Sequence, residues 1–393
     1  MSSTESLSSY ADAIDISSTC NGTANSNLKL NKDNSNSNKD VWKSDDSEKK
    51  ISELERTNSE NNSENNDIGK DDEFSDALDS TEETYICSLD EATQKKALEE
   101  LGEDPLTRMK HVNDLKEWLS EQKDVTANTD TSVLLMFLRA AKFNQEKARQ
   151  KILGMLTMGR ERPSWFKDIN TTADDITAVF NDLYVIPLPK PDVDGAKIVL
   201  YRMGSFDPSG ARYTKSSIMK AFGGLFIHLM REEENQVNGF VYVIDAGEFN
   251  TRQQLFWTPN DLRTIARMWQ KALPARFKRF HFIRMGFTFD IILKLLMPFL
   301  SAKFKERIMI HGNDLNELRK HIPCELLPDE YLPKDYQGPS AGPMPQIVEN
   351  LKADISKPEV KDFIGSMTSN DFSIQIENGK SRWSWLRPWV RPQ

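Results

Sequence analysis

The sequence predicts an α/β protein in two parts, a small helical N-terminal module followed by a domain built on a mostly parallel sheet. Four short apolar runs carry the second part: KIVLYR from Lys197, FVYVID from Phe240, FKRFHFI from Phe277 and RIMI from Arg307. Their starts lie roughly thirty to forty residues apart, with helical patterns between them. Strand, helix and strand repeated in this way imply right-handed crossovers and parallel pairing. Upstream of Lys197 the apolar residues recur only at helical spacing, which predicts the separate module.

Composition divides the 393 residues further. Residues 1–100 hold 24 Asp and Glu against 10 Lys and Arg, and the remainder holds 36 against 41. The stretch to about residue 90 is rich in Ser, Asn, Asp and Glu and has too few large apolar residues to offset ordering entropy, so disorder is expected there. A mildly basic remainder is too weakly charged for a nucleic-acid binder as a whole, although local clusters still suit an anionic surface. Cys20, Cys87 and Cys324 lie far apart without CxxC spacing, which argues against a disulfide framework or a zinc site and fits a reducing compartment. The first residues lack a basic and apolar leader pattern, and no eighteen-residue apolar run is present. A cytoplasmic protein that touches membranes only peripherally is expected.

Taken in order, Met109, Val112, Leu115 and Leu119 mark a first helix, SVLLMFLRAAKF a second, and NQEKARQKILGMLTMGRER a third with Asn144 as N-cap. Three packed helices serve equally as a docking bundle or a brace. A helix at 173–183 then leads to Pro187, Pro189 and Pro191, which mark a domain boundary before the first strand. Helices are expected over 214–234 and 258–272; the second opens Thr258-Pro259-Asn260-Asp261, a cap followed by a proline and an acid. Gly223 and Gly224 sit inside the first of these, at a cost of about 1 kcal/mol each relative to alanine. Either a close approach by backbone or ligand, or plain helix-on-sheet packing, accounts for them.

One segment stands apart. From Phe287 to Leu300, ten of fourteen residues are Phe, Ile, Leu or Met, and Asp290 and Lys294 form an i,i+4 pair on a single face. It is too short to span a bilayer and too apolar for a surface helix, so it is buried or has an apolar partner on each side. Cations frame it. Arg276 and Lys278 lie two apart on a strand, and Lys303 and Arg307 lie four apart on a helical turn, so each pair shares a face. The four either converge on a multiply charged phosphate or form a solvated rim.

No catalytic constellation accompanies them. The chain lacks GxSxG, HExxH, a Walker loop and GxGxxG, and its five histidines are scattered, so an enzyme is not expected.

Together LLMFLRAAKFNQEKARQKI, FVYVIDAGEF, LPARFKRFHFI and MPFLSAKFKERIMIHGNDLNELRKHIPCELLPDEY resemble the CRAL-TRIO family of lipid-binding proteins, in the branch of alpha-tocopherol transfer protein, cellular retinaldehyde-binding protein and the clavesins. The resemblance implies a helical module over 96–168 and a lipid-binding domain over 172–338; composition adds a disordered acidic tail over 1–95 and a linker and tail over 339–393. It implies a gate helix carrying Phe287, Phe289, Ile292, Leu293 and Leu296 above a pocket lined by Met219, Phe222, Phe226, Ile244, Ile265, Met268, Trp269, Phe280, Phe282 and Leu295. It also implies phosphoinositide binding by Arg276, Lys278, Lys303 and Arg307, the four that spacing had selected. Phe222 and Phe226 fall where the tocopherol branch is more polar, which suggests a more apolar ligand than tocopherol.

The expected activity is therefore transfer of a hydrophobic lipid between membranes, with no cofactor besides the lipid and a phosphoinositide-containing surface as partner. The alternative is a lipid-sensing adaptor that acts through protein partners. The closing stretch SRWSWLRPWVRPQ suits a membrane interface, a protein partner, or neither.

Overall fold

The computed structural model describes residues 85–375 except residue 370. The polar stretch before Tyr85 and the Trp/Arg stretch from Ser381 lie outside the described residues. Residues 85–95, expected in the tail, instead pack against the fold. Tyr85 donates its hydroxyl to Glu233, and Ser88 donates its amide to the same carboxylate at 2.9 Å. Helix α1 (Glu91–Leu101) opens on Asp90, which accepts the Thr93 amide, and closes on Gly102 in the left-handed region.

The module continues with α2 (Arg108–Ser120), a two-residue strand β1 (Val125–Thr126), α3 (Thr131–Ala140) and α4 (Gln145–Glu161). Asn144 caps α4 as expected, accepting the Lys147 amide at 3.0 Å. Pro163 opens the short α5 (Pro163–Phe166), and α6 (Asp174–Asn181) follows.

The sheet comprises β2 (Val185–Pro187), β3 (Lys197–Arg202), β4 (Phe240–Asp245), β5 (Phe277–Ile283) and β6 (Ile308–Ile310), in that spatial order. β3 to β6 are parallel and β2 is antiparallel to β3, which makes a strand of what read as a proline-rich boundary. Pro187 is tolerated because β2 is the edge strand. All six residues of β4 are buried, as a central parallel strand requires.

Two expected helices are interrupted. The first is α7 (Lys215–Leu229) and α8 (Glu233–Asn238), parted where the side chains of Asn235 and Gln236 donate to the carbonyls of Leu229 and Met230. After α9 (Thr251–Phe256), the second is α10 (Pro259–Arg267), which widens into a π turn over Met268–Ala272 packed on Gly154 of α4. Thr258 and Asp261 form the expected reciprocal cap. The apolar segment folds as α11 (Phe287–Leu296) with a 3-10 turn at Met297–Phe299, followed by α12 (Ala302–Lys305) and, after β6, α13 (Leu315–Arg319).

The paired glycines of α7 have a packing reason. A Cβ on Gly224 would lie 2.5 Å from the Thr171 methyl, so the chain at 169–171 presses on this turn and no ligand is needed to explain it.

The described part of the expected linker and tail, from residue 339 to 375, is largely helical. α14 (Met344–Ile355) and α15 (Pro358–Thr368) bury Ile347, Val348, Leu351, Val360 and Ile364, and β7 (Ser373–Ile374) pairs antiparallel with β1. Prolines that suggest a linker stand here at helix starts, where a missing N–H costs nothing.

Candidate functional site

α11 lies over one face of the sheet, and between them is an apolar cavity. Tyr201 of β3, Ile244 of β4 and Phe282 of β5 form its floor. Met219 and Phe222 of α7, Ile265 of α10, and Met268 and Trp269 of the π turn form its walls. Phe289, Ile292, Leu293 and Leu296 of α11 form the roof. The cavity volume is about 110 Å³, small beside the roughly 300–1,000 Å³ typical of small-molecule sites.

Most of the residues expected at the pocket meet here, and three do not. Phe226 lines a second, smaller cavity of about 40 Å³ beyond Phe222 and Met268, among Met155, Met158, Met367 and Phe372. Phe280 does not line the cavity: it packs against the wall residue Trp269, with ring centroids 5.4 Å apart, and against Phe304 at 4.8 Å. Leu295 is on the outer face of α11 and is 38% exposed. Phe287, the first residue of the helix, also projects outward and is 79% exposed. Tyr184, Met203, Ile218, Trp257 and Leu262 complete the lining without having been expected. Trp257 and Leu262 flank the Thr258 cap at the positions of a hydrophobic staple, a sequence signal that could have found them.

The hinge before α11 is constrained. Arg284 adopts φ 51°, unusual for a residue with a side chain, and its guanidinium donates to buried Asp245 through Nε at 2.8 Å. Tyr331 also donates to Asp245. The hydrogen bond to Asp245 outweighs the opposing effect of desolvation and raises the Arg284 pKa, holding its charge on.

The basic cluster lies at the opposite end of β5 from that hinge. Arg276 and Lys278 both reach Glu100 of α1, at 2.5 Å and 3.3 Å. Hydrogen bonding from Arg276 is the main reason the Glu100 carboxyl is pulled down to about 2. Arg307 is half-buried, its carbonyl accepts the Phe280 amide of β5 at 2.8 Å, and its pKa is lowered first by burial and then by the charge of Arg276. Lys303 is exposed on α12 with no ion-pair partner among the described residues. Arg279, on the same strand, is taken by Asp192 and Asp194 at 3.1 Å and 2.8 Å. The structure thus brings Arg276, Lys278 and Arg307 together, and sets a carboxylate among them that sequence spacing had not indicated.

On the other face of the sheet, His281 Nδ1 lies 2.8 Å from His311 Nε2, with the His321 ring 5.4 Å from that of His281. Among the described residues no group of His, Cys, Asp or Glu is placed to hold a metal ion.

A family model described as CRAL/TRIO domain matches residues 181–331, and one described as Pinta-like, UBA domain matches residues 104–176. Clavesin-2 of Mus musculus is 32% identical over 61% of this chain and 73% of its own length. The chain belongs to the CRAL/TRIO family. Other similar members are the alpha-tocopherol transfer protein-like protein of Homo sapiens, 30% identical over 63% of this chain and 71% of that one, and clavesin-1 of Xenopus laevis, 30% identical over 62% and 73%. The span matched to the CRAL/TRIO domain contains the sheet, the cavity walls, the hinge and α11. No helix among the described residues is long and apolar enough to cross a membrane.

Proposed function

We propose that this protein binds a hydrophobic lipid in the cavity beneath α11 and carries it between membranes, recruited by phosphoinositide headgroups at Arg276, Lys278, Lys303 and Arg307. Membership of the CRAL/TRIO family supports lipid binding and transfer as the general activity. The observation that carries the finer reading is the arrangement around one roof: the apolar face of α11 covers the cavity, while Arg276 and Lys278 stand at the start of β5, the strand that precedes it, and Lys303 and Arg307 at the turn that follows it.

Energetics explain why a roof and a membrane go together. A tail of about fifteen carbons gains roughly 12 kcal/mol on leaving water, at about 0.8 kcal/mol per methylene, so release into water is very slow. Opening against a bilayer lets the tail pass between apolar surroundings, with Phe289, Ile292 and Leu296 turning from cavity to acyl chains and Phe287 already outside. Four cations near an anionic leaflet each add about 1 kcal/mol, less at high salt, which suffices for reversible recruitment. A peripheral, cytoplasmic protein with no catalytic role fits this reading.

Arg276→Ala combined with Lys278→Ala is expected to reduce co-sedimentation with phosphoinositide-containing liposomes by about tenfold or more, since about 2 kcal/mol is removed. Unchanged sedimentation would remove the headgroup role.

A further inference from the structure

We infer that Glu100 is a specificity-determining residue: a tethered carboxylate that occupies the Arg276–Lys278 pair and excludes singly charged anionic headgroups while yielding to phosphomonoesters. This rests on the headgroup reading above and adds to it the charge that a headgroup must carry.

The geometry is that of a competitor already in place. Glu100 Oε2 contacts both Arg276 Nη2 and Lys278 Nζ from the last turn of α1, more than 170 positions away in sequence. Its side chain is 38% exposed, so it can swing out to solvent without unfolding anything. The cations are less free to move. Arg276 is 13% exposed and also donates to the Val237 carbonyl, and Arg307 is half-buried next to β5, its carbonyl accepting the Phe280 amide at 2.8 Å. The pocket of charge is therefore fixed, and the carboxylate is its removable part.

A singly charged headgroup offers these cations the same charge as Glu100 and must pay the entropy of association, whereas Glu100 is held next to them by the fold. It cannot win. A phosphomonoester brings about −1.5 to −2 charges and three acceptor oxygens, enough to engage Arg276, Lys278 and Arg307 at once. Displacing Glu100 then gives a net gain. Lys96 on α1 is positioned separately, its Nζ bonded to the Asp194 carbonyl at 2.6 Å.

The experiment compares the full chain, Glu100→Gln and Glu99→Gln on two vesicle types. One contains phosphatidylserine in phosphatidylcholine, and the other a phosphatidylinositol bisphosphate in phosphatidylcholine. Glu99 is an exposed acid one residue away and controls for net charge. Glu100→Gln should raise binding to the phosphatidylserine vesicles by about fivefold, the scale of one partly exposed ion pair, and lower the preference for the bisphosphate. Glu99→Gln should change neither. An unchanged preference in Glu100→Gln, or equal effects of the two substitutions, would overturn the inference. If Arg276→Ala leaves bisphosphate binding intact, the headgroup reading falls first, so the two failures are separable.

Discussion

Arg276 owes its position to a glycine. Gly239 has φ 80°, and a Cβ there would lie 2.3 Å from the Arg276 carbonyl, so only glycine lets β4 and β5 start side by side. Pairing of Arg276 with Lys278 across the alternation of a strand was legible in the sequence; the intrusion of Glu100 was not, because nothing local links residues so far apart. The histidines read as scattered in the sequence; the sheet brings His281 and His311 together, and the consequence depends on burial. His281 is 1% exposed, and burial, then the charges of His311, His321 and Arg279, push its pKa down to about 3. His228 is lowered to about 4, chiefly by burial. Folding therefore favours the neutral ring of each, a contribution present above the ordinary value of about 6.5 and lost as pH falls toward 3 to 4. Denaturant midpoints measured from pH 7.5 to pH 4.5 should fall with acidification, each histidine adding a slope of at most about 1.4 kcal/mol per pH unit. His281→Phe should flatten the profile, and an unaltered slope in that variant would assign the effect elsewhere.

At the scale of elements, β3, β4 and β5 coincide with the apolar runs read from the sequence, because a parallel strand buried on both faces is a continuous apolar segment. β2 was missed because three residues among prolines carry no alternation. α11 was legible as an unusual helix, and the structure adds that its inner face roofs a cavity while Phe287 and Lys294 stand in solvent. The Asp290–Lys294 pair at 2.7 Å sits on that outer face, where such pairs contribute only about 0.3–0.5 kcal/mol. A helix over a cavity lacks the dense packing that protects a helix on a sheet, so its local opening costs less. Amides of residues 287–299 should exchange ahead of those in α7, and loading with lipid should slow them selectively. Equal protection of α11 and α7 in the lipid-free protein would argue against a gate.

Across the whole of the described chain, the C-terminal segment acts as a strap. β7 pairs with β1 beside the N-terminal helices, α14 packs on β2 and α6, and Lys167 donates to the carbonyls of Ser369 and Phe372. Its apolar positions Ile347, Leu351 and Ile355 recur at a spacing of four, a helical signal that the prolines around it obscured. Buried Arg139 joins the module to the sheet domain in a similar way, bonding Glu103 at 2.8 Å and Gln236 at 2.7 Å. With two such ties the cavity walls are held while α11 is left one-sided, which is what a carrier that opens one wall requires. The most direct measurement is extraction of the purified full chain followed by quantitative lipid mass spectrometry, alongside Ile244→Trp, which fills the cavity floor and whose folding is checked by circular dichroism. About one lipid per chain in the wild type and none in the folded Ile244→Trp variant is the predicted result. An empty wild-type protein, or a lipid retained undiminished in the filled variant, would contradict a carrier built on this cavity, and an empty, folded wild type would favour an adaptor.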